Sequence, residues 1–372
     1  MVQTHLNHPS RSAPRWALAL AISAMSWAAA QSAQARVVPW YLQANSQAAP
    51  ASIKSEPVKP GASKITVAVI DSGVLKDHPA LRGVLLPGFD MVSGQRNLRG
   101  QRSADYEPDA RDASCGRQIT SSSFRTHGTE VASLIAGNGY QNMWGVNPNA
   151  QILPIRVFGA CGMAPNDMID GIRWAAGLPV RGAPHNPNPA RIINISIAGG
   201  STQCRPALQE AIDAAIAKGA FVVAAAGNNF QRLLAEPANC QGVISVGAVS
   251  AENRIERYSA LDPRTSIYTT GGGPALRVNR PWADNKLRVA TTDTGLTGAE
   301  RLVVADKGVG TSFAAPLVSG FLSLWLSHRP QLRPQDWSHY ITDFVRQVQP
   351  IDNCADCNPL GLVVRPKKVG AQ

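Results

Sequence analysis

Ile65-Thr66-Val67-Ala68-Val69-Ile70-Asp71-Ser72-Gly73 decides the fold of this chain. Six apolar or β-branched residues run without alternation and stop at a carboxylate followed by a turn. A strand that must alternate reads apolar-polar; one buried on both faces reads as a continuous apolar run, as in a parallel sheet covered by helices. An aspartate directly at the end of such a strand is either a turn or cap residue or a group placed for chemistry, because ligands of open parallel sheets bind outside the carboxyl ends of the strands.

The pattern repeats outward from this strand. Gly128–Ala136 carries Val131, Leu134 and Ile135 on one helical face, and Ile152–Phe158 is a second strand. Asn166 is placed to cap a helix over Asp167–Ala176. Arg191–Ile197 is β-rich; Leu208, Ala211, Ile212, Ala215 and Ile216 then recur at helical spacing, with Gly219 at the C-cap. Ala220–Ala226 and Val243–Val249 are further buried strands, Ser312 opens a long helical pattern through Phe321, Leu322 and Trp325, and Leu332–Val345 reads as a last helix. Strands alternating with helices give an α/β class, a doubly wound, mostly parallel sheet with helices on both faces.

Arg11 and Arg15, the apolar run Trp16–Ala30 and Ala33-Gln34-Ala35 form a secretory signal peptide over residues 1–35. The expected remainder is an extended arm at 36–64, rich in Pro, Ala and Ser, the α/β domain at 65–346 and a tail at 347–372. The expected location is secreted or periplasmic, with no membrane span in the mature chain. Net charge is +11, and +9 once the first 35 residues, with two Arg and no acid, are set aside. The basic residues are scattered and not interleaved with aromatics, so no nucleic-acid partner is read from them. Six cysteines in an exported chain favour disulfides over metal sites.

Three further positions carry chemistry together with Asp71. His127 precedes Gly128-Thr129 at a helix start; alone it would be an ordinary surface or capping histidine. Ser312 lies in Gly310-Thr311-Ser312-Phe313-Ala314-Ala315-Pro316, where alone it would be an N-cap. Asn228 ends Ala224-Ala225-Ala226-Gly227-Asn228, where Gly-Asn alone is a turn. A serine hydroxyl needs a base, and the base an orienting group. The roles that follow are Ser312 as nucleophile, His127 as general base, Asp71 as orienting group and Asn228 as oxyanion donor beside the Ser312 backbone N–H. An α/β-hydrolase esterase is disfavoured, since it would show G-x-S-x-G and the order Ser, Asp, His. A silent binding protein on the same fold is the other class of reading, and the intact set of four positions weighs against it.

Val69–Gly73, His127–Thr129, Gly227-Asn228 and Gly310–Ser312, in this order, resemble the subtilisin-like serine proteases from about Val67 to about Pro330, with Pro316 and Gly320 also matching. In texture the chain is similar to disulfide-bearing extracellular proteases of Gram-negative bacteria. The resemblance implies a serine endopeptidase acting on proteins or peptides through an acyl-enzyme. It implies a substrate cleft along Ser196, Ile197, Ala198 and Gly199, with Gly227 and the loop at Ala235-Glu236-Pro237 completing the S1 pocket. Glu236 facing that pocket would favour Lys or Arg at P1; pointing to solvent, it would leave a broad apolar groove.

The resemblance also suggests the pairs Cys115–Cys161 and Cys204–Cys240, while Cys354 and Cys357 are close enough to pair with each other. No cofactor is required for the chemistry. The family's calcium sites find no residue-by-residue match, so structural calcium stays open and unassigned. Glu130 departs from a usual histidine, Ser133 from a usual glycine and Ala198 from a usual glycine. The family's folding prodomain has only the 36–64 arm in its place, which is too short for it; that arm is expected to pack on the domain.

Overall fold

The computed structural model describes residues 39–42, 63–110, 115, 122–229, 233–250, 254–273, 286–293, 299–344 and 362–363. Backbone contacts separate Met1–Val37 from Val38–Gln372, and every described residue belongs to the second unit. The signal sequence, most of the arm and tail, and Cys354 and Cys357 lie outside the described residues.

The opening strand, β1 (Thr66–Asp71), sits inside an eight-stranded sheet. Its neighbours are β3 (Gln151–Arg156) on one side and β4 (Ile192–Ile195) on the other. Beyond β3 lies the short β2 (Phe89–Asp90); beyond β4 follow β5 (Phe221–Ala225), β6 (Ile244–Val249), β7 (Ile267–Thr270) and β10 (Leu362–Val363). Every pairing in this sheet is parallel. The chain runs from β1 outward to β3, then returns across β1 to start β4. The crevice at such a reversal, outside the carboxyl ends, is where open α/β sheets take ligands.

Side chains of β1 divide by parity between two cores. Val67 and Val69 join one core with Val131, Leu134 and Ile135 of α2 (His127–Ala136) and Leu317, Val318 and Leu322 of α5 (Thr311–Ser327). Ala68 and Ile70 join the other with Met168 and Ile172 of α3 (Pro165–Ala175) and Leu208 and Ile212 of α4 (Pro206–Ala217). Helices on both faces thus account for the uninterrupted apolar run. A fully buried aliphatic side chain contributes about 1.5–3 kcal/mol, so the two-sided burial of this strand weighs heavily in the fold.

Several elements differ from the sequence reading. The helix placed at Asp167–Ala176 with Asn166 as cap starts at Pro165, after Ala164 in extended conformation. Proline suits the first helical position because its fixed φ is already helical and its missing N–H would have no partner there. Asn166 is therefore inside the first turn and exposed. The last helix begins at Trp337, not Leu332: Arg333 is held extended ahead of Pro334, and a 3-10 turn over Pro334–Asp336 intervenes before α6 (Trp337–Phe344). An antiparallel pair, β8 (Leu287–Asp293) with β9 (Arg301–Gly308), lies where the sequence reading placed no element.

The described part of the arm is docked. Tyr41 and Leu42 are buried in the core that contains α2 and α5, and the Tyr41 hydroxyl donates to the Arg288 carbonyl of β8 at 2.8 Å.

Candidate active site

Asp71 is wholly buried at the carboxyl end of β1. Its Oδ1 accepts the Ser72 backbone N–H at 2.7 Å, and its two oxygens lie 2.8 and 3.0 Å from His127 Nδ1. The approach of α2 to β1 depends on absent side chains. A Cβ on Gly128 would stand 2.2 Å from the Gly73 carbonyl oxygen, and one on Gly73, at φ 99°, 2.5 Å from the Tyr106 carbonyl oxygen. Two hydroxyls complete the joint: Gly128 N donates to Ser72 Oγ at 3.2 Å, and Leu75 N to Thr129 Oγ1 at 3.0 Å. The D-S-G and H-G-T motifs are the two halves of one interface.

The imidazole of His127 is almost enclosed. Phe124, in the single turn α1 (Ser122–Arg125) ahead of α2, stacks on it at 5.2 Å between centroids and 4° between planes, and Phe313 meets it edge-on at 5.4 Å. Burial works against the imidazolium. The Asp71 carboxylate more than offsets this by charge and hydrogen bond, with Glu130 adding and Lys307 opposing, so the ring is held above its ordinary value.

Ser312 stands half-buried in the first turn of α5. Gly310 before it has φ 142°, and a Cβ there would stand 2.9 Å from Asn228 Nδ2. Asn228 Oδ1 accepts both the Thr311 backbone N–H at 2.9 Å and the Thr311 hydroxyl at 2.8 Å, and Thr311 Oγ1 in turn accepts Gly227 N–H at 3.2 Å. The G-N and G-T-S motifs are thereby locked together. With Oδ1 occupied by Thr311, the amide Nδ2 is the donor end on the Gly310 side.

The stretches leaving β4 and β5 run side by side. Ser196 and Ile197 are buried, with Asn194 Nδ2 donating to Ser196 Oγ at 2.9 Å, while Ala198 is exposed. A Cβ on Gly227 would be 3.9 Å from Ala198 Cβ and 3.2 Å from Ala235 Cβ. Ala198, Gly199, Gly227 and Ala235 therefore lie together beside Asn228 and present little more than backbone.

Glu236 corrects the sequence reading. Its carboxylate neither stands alone toward a pocket nor points to solvent: Glu236 is 4% exposed. Oε1 accepts the Arg205 backbone N–H at 2.8 Å and Nε at 3.0 Å; Oε2 accepts Nε and Nη2 at 2.8 Å. A carboxylate cannot be buried unpaired without large cost, and the start of α4 supplies the partner.

Two disulfides join Cys115 to Cys161 and Cys204 to Cys240, with Cα separations of 5.1 and 5.0 Å. Behind the site, fully buried Arg156, the register partner of Asp71 on β3, reaches Asp90 at 2.5 Å and Asp109 at 2.6 Å. Burial pushes the Asp90 carboxyl up, and Arg156 only partly restores it. Among the described residues, no group of three or more His, Cys, Asp or Glu is arranged to hold a metal, and no helix is long and apolar enough to cross a membrane.

Residues 62–353 match the model of the Subtilase family. The chain is similar to the extracellular protease of Xanthomonas campestris pv. campestris, 34% identical over 276 residues, 72% of this chain and 45% of that one. It is likewise 34% identical over 277 residues to the extracellular basic protease of Dichelobacter nodosus, covering 71% of this chain and 43% of that protein. The chain thus spans less than half the length of either relative. A solved protease structure from Pseudoalteromonas arctica PAMC 21717 superposes with TM-score 0.69 at 28% identity, over 87% of this chain and 93% of that one.

Proposed function

This chain belongs to the Subtilase family, and from that membership we propose that it is a secreted serine endopeptidase using Ser312, His127, Asp71 and Asn228. The observation that carries the reading is the double approach of His127 Nδ1 to the buried Asp71 carboxylate, 2.8 and 3.0 Å, at the carboxyl end of the central strand. With Nδ1 so engaged, Nε2 is the nitrogen left to take a proton.

Ser312 Oγ attacks the scissile carbonyl as His127 Nε2 removes its proton, and Asp71 stabilises the resulting imidazolium. The carbonyl oxygen gains negative charge and is met by Asn228 Nδ2 and by the Ser312 backbone N–H at the start of α5, whose dipole favours an anion. Collapse expels the amine, which takes the proton from His127, and water then repeats the sequence on the acyl-enzyme. The chemistry calls on no cofactor.

Substrates are proteins or peptides laid along Ser196–Gly199. We assign residues 1–35 to an export signal, 36–64 to the arm, 65–346 to the catalytic domain and 347–372 to the tail, where Cys354 and Cys357 pair. Both named relatives are described as extracellular, which supports export of this chain. A fluorophosphonate probe tests the reading: the secreted protein should be labelled and should hydrolyse peptides, and Ser312→Ala should do neither while folding normally. A folded wild type that binds peptides but takes no label would make it a binding protein instead.

A further inference from the structure

Next to Asn228, Ala198, Gly199, Gly227 and Ala235 form a wall of small residues: a Cβ on Gly227 would be 3.9 Å from Ala198 Cβ and 3.2 Å from Ala235 Cβ. If the scissile carbonyl stands between Ser312 and Asn228, the side chain of the residue supplying that carbonyl, P1, is laid against this wall. The wall carries almost no functional groups of its own. Glu236 is the acidic residue closest in sequence to the wall residue Ala235, and its carboxylate lies directly behind Gly199: a Cβ on Gly199 would be 3.7 Å from Glu236 Oε2 and 3.5 Å from the Glu236 carbonyl oxygen. The backbones are zipped as well, Gly199 N to Glu236 O at 2.7 Å and Glu236 N to Ser201 O at 2.9 Å.

We infer that Arg205 sets the P1 preference of this chain by cancelling the charge of Glu236. The inference rests on the protease reading above. The guanidinium and backbone of Arg205 together occupy both carboxylate oxygens. Arg205 is itself fixed: it immediately precedes α4, and its neighbour Cys204 is bonded to Cys240 in the same loop as Glu236. The site therefore presents a neutral wall, and apolar P1 side chains are favoured over Lys or Arg. The Arg205 side chain is 40% exposed, so its loss opens no closed core. In Arg205→Gln the carboxylate still has the backbone N–H of residue 205 and the N-terminus of α4 to hold it behind Gly199. What changes is that its negative charge is no longer opposed, and a cationic P1 side chain gains a partner.

The experiment compares kcat/KM for peptides that differ only in Lys, Leu or Glu at P1, each preparation being titrated with a fluorophosphonate so that only competent sites are counted. Wild type should prefer Leu to Lys. Arg205→Gln should raise the Lys/Leu ratio by about tenfold, the discrimination of one charge-assisted contact. Arg205→Gln/Glu236→Gln should return it to the wild-type level. Glu236→Gln alone leaves the guanidinium unopposed, and should lower the Lys/Leu ratio and raise Glu/Leu. A wild type that prefers Lys overturns the inference without any variant. So does an unchanged ratio in Arg205→Gln, a gain that survives in the double variant, or an unmoved ratio in Glu236→Gln. A wild type that takes no label and cleaves none of the peptides removes the protease reading instead.

Discussion

Glu130, one turn into α2, and Lys307, on β9, meet at 2.8 Å across the seam between α2 and the β8–β9 pair. The same Glu130 Oε1 accepts from Thr126 Oγ1 at 2.6 Å and Thr291 Oγ1 at 2.8 Å. Ser133, another departure from the family pattern, works on the same seam: its hydroxyl accepts the Ala290 N–H of β8 at 3.0 Å. Two residues that differ from the usual family pattern are thus one fastening. It holds the β8–β9 pair against the helix that carries His127.

Removing the cation should test that fastening. Glu130 is 2% exposed, so Lys307→Ala leaves its carboxylate with hydroxyl donors alone. The expected loss is about 1–3 kcal/mol of unfolding free energy, read as a lower denaturant midpoint. Lys307→Arg should recover most of it. An unshifted midpoint in Lys307→Ala would show the pair to be a surface contact without weight.

His78 should make the same region acid-sensitive. Its Nε2 lies 3.2 and 3.0 Å from the carbonyls of Thr291 and Val303, and its Nδ1 accepts the Ala80 N–H at 3.2 Å. This network requires the neutral ring with hydrogen on Nε2. Burial lowers the value below the ordinary one, and the two carbonyl contacts offset it in part. A folded value below the unfolded one means that the neutral ring favours the fold. That stabilisation is whole above about pH 6.5 and disappears as pH falls through the lower folded value. Hydrogen exchange of β8 and β9 amides should accelerate over that acidic window in wild type. In His78→Phe the pH step should be absent and exchange faster throughout.

His127 shifts the other way. Because Asp71 outweighs burial in raising it, the rise of kcat/KM with pH should be centred above about 6.5, the reference imidazole value. Asp71→Asn removes the main raising influence and leaves burial against Glu130 alone, so the midpoint should move down while kcat falls by on the order of 10⁴. The same linkage makes protonated His127 favour the fold: this contribution is full below the unfolded value and lost as pH rises through the raised folded value. A profile flat between pH 5 and 9 would exclude His127 as the base.

What was legible in the sequence follows from how each feature is encoded. β1 could be read because burial on both faces forces a continuous apolar run, and the positions of Asp71, His127, Asn228 and Ser312 because each motif sets its polar residue beside a glycine that the geometry demands. The β8–β9 pair escaped because β9 is only partly covered: its apolar run, Leu302–Ala305, is four residues long and flanked by Arg301, Asp306 and Lys307. Glu236 was misread because Arg205 comes from a different loop, brought beside it by the crossover from β4 through α4 to β5. No local pattern announces such a meeting. The cap read at Asn166 and the helix start read at Leu332 were displaced by Pro165 and Pro334, whose fixed φ and missing N–H decide where a helix starts.

Asn228 has two duties in this arrangement, and a pair of variants can separate them. Its Oδ1 clamps Thr311 by two hydrogen bonds, while Nδ2 is the donor assigned to the oxyanion. Asn228→Ala would remove both, so its effect could not be apportioned. Asn228→Asp keeps an acceptor for the Thr311 N–H and hydroxyl but replaces the donor with a second carboxylate oxygen, which repels developing negative charge. Thermal stability should stay near wild type while kcat falls by at least about 10²–10³, with KM little changed, because the lost interaction exists only in the transition state. Thr311→Val does the reverse. It retains the Asn228 amide and the backbone bond but loses the hydroxyl between Asn228 Oδ1 and Gly227 N. Unfolding should then come about 1 kcal/mol easier, and kcat should drop far less than in Asn228→Asp. If both variants lose activity equally and both lose stability, Asn228 acts here only by holding the start of α5, and the oxyanion would have to be met by the Ser312 N–H alone.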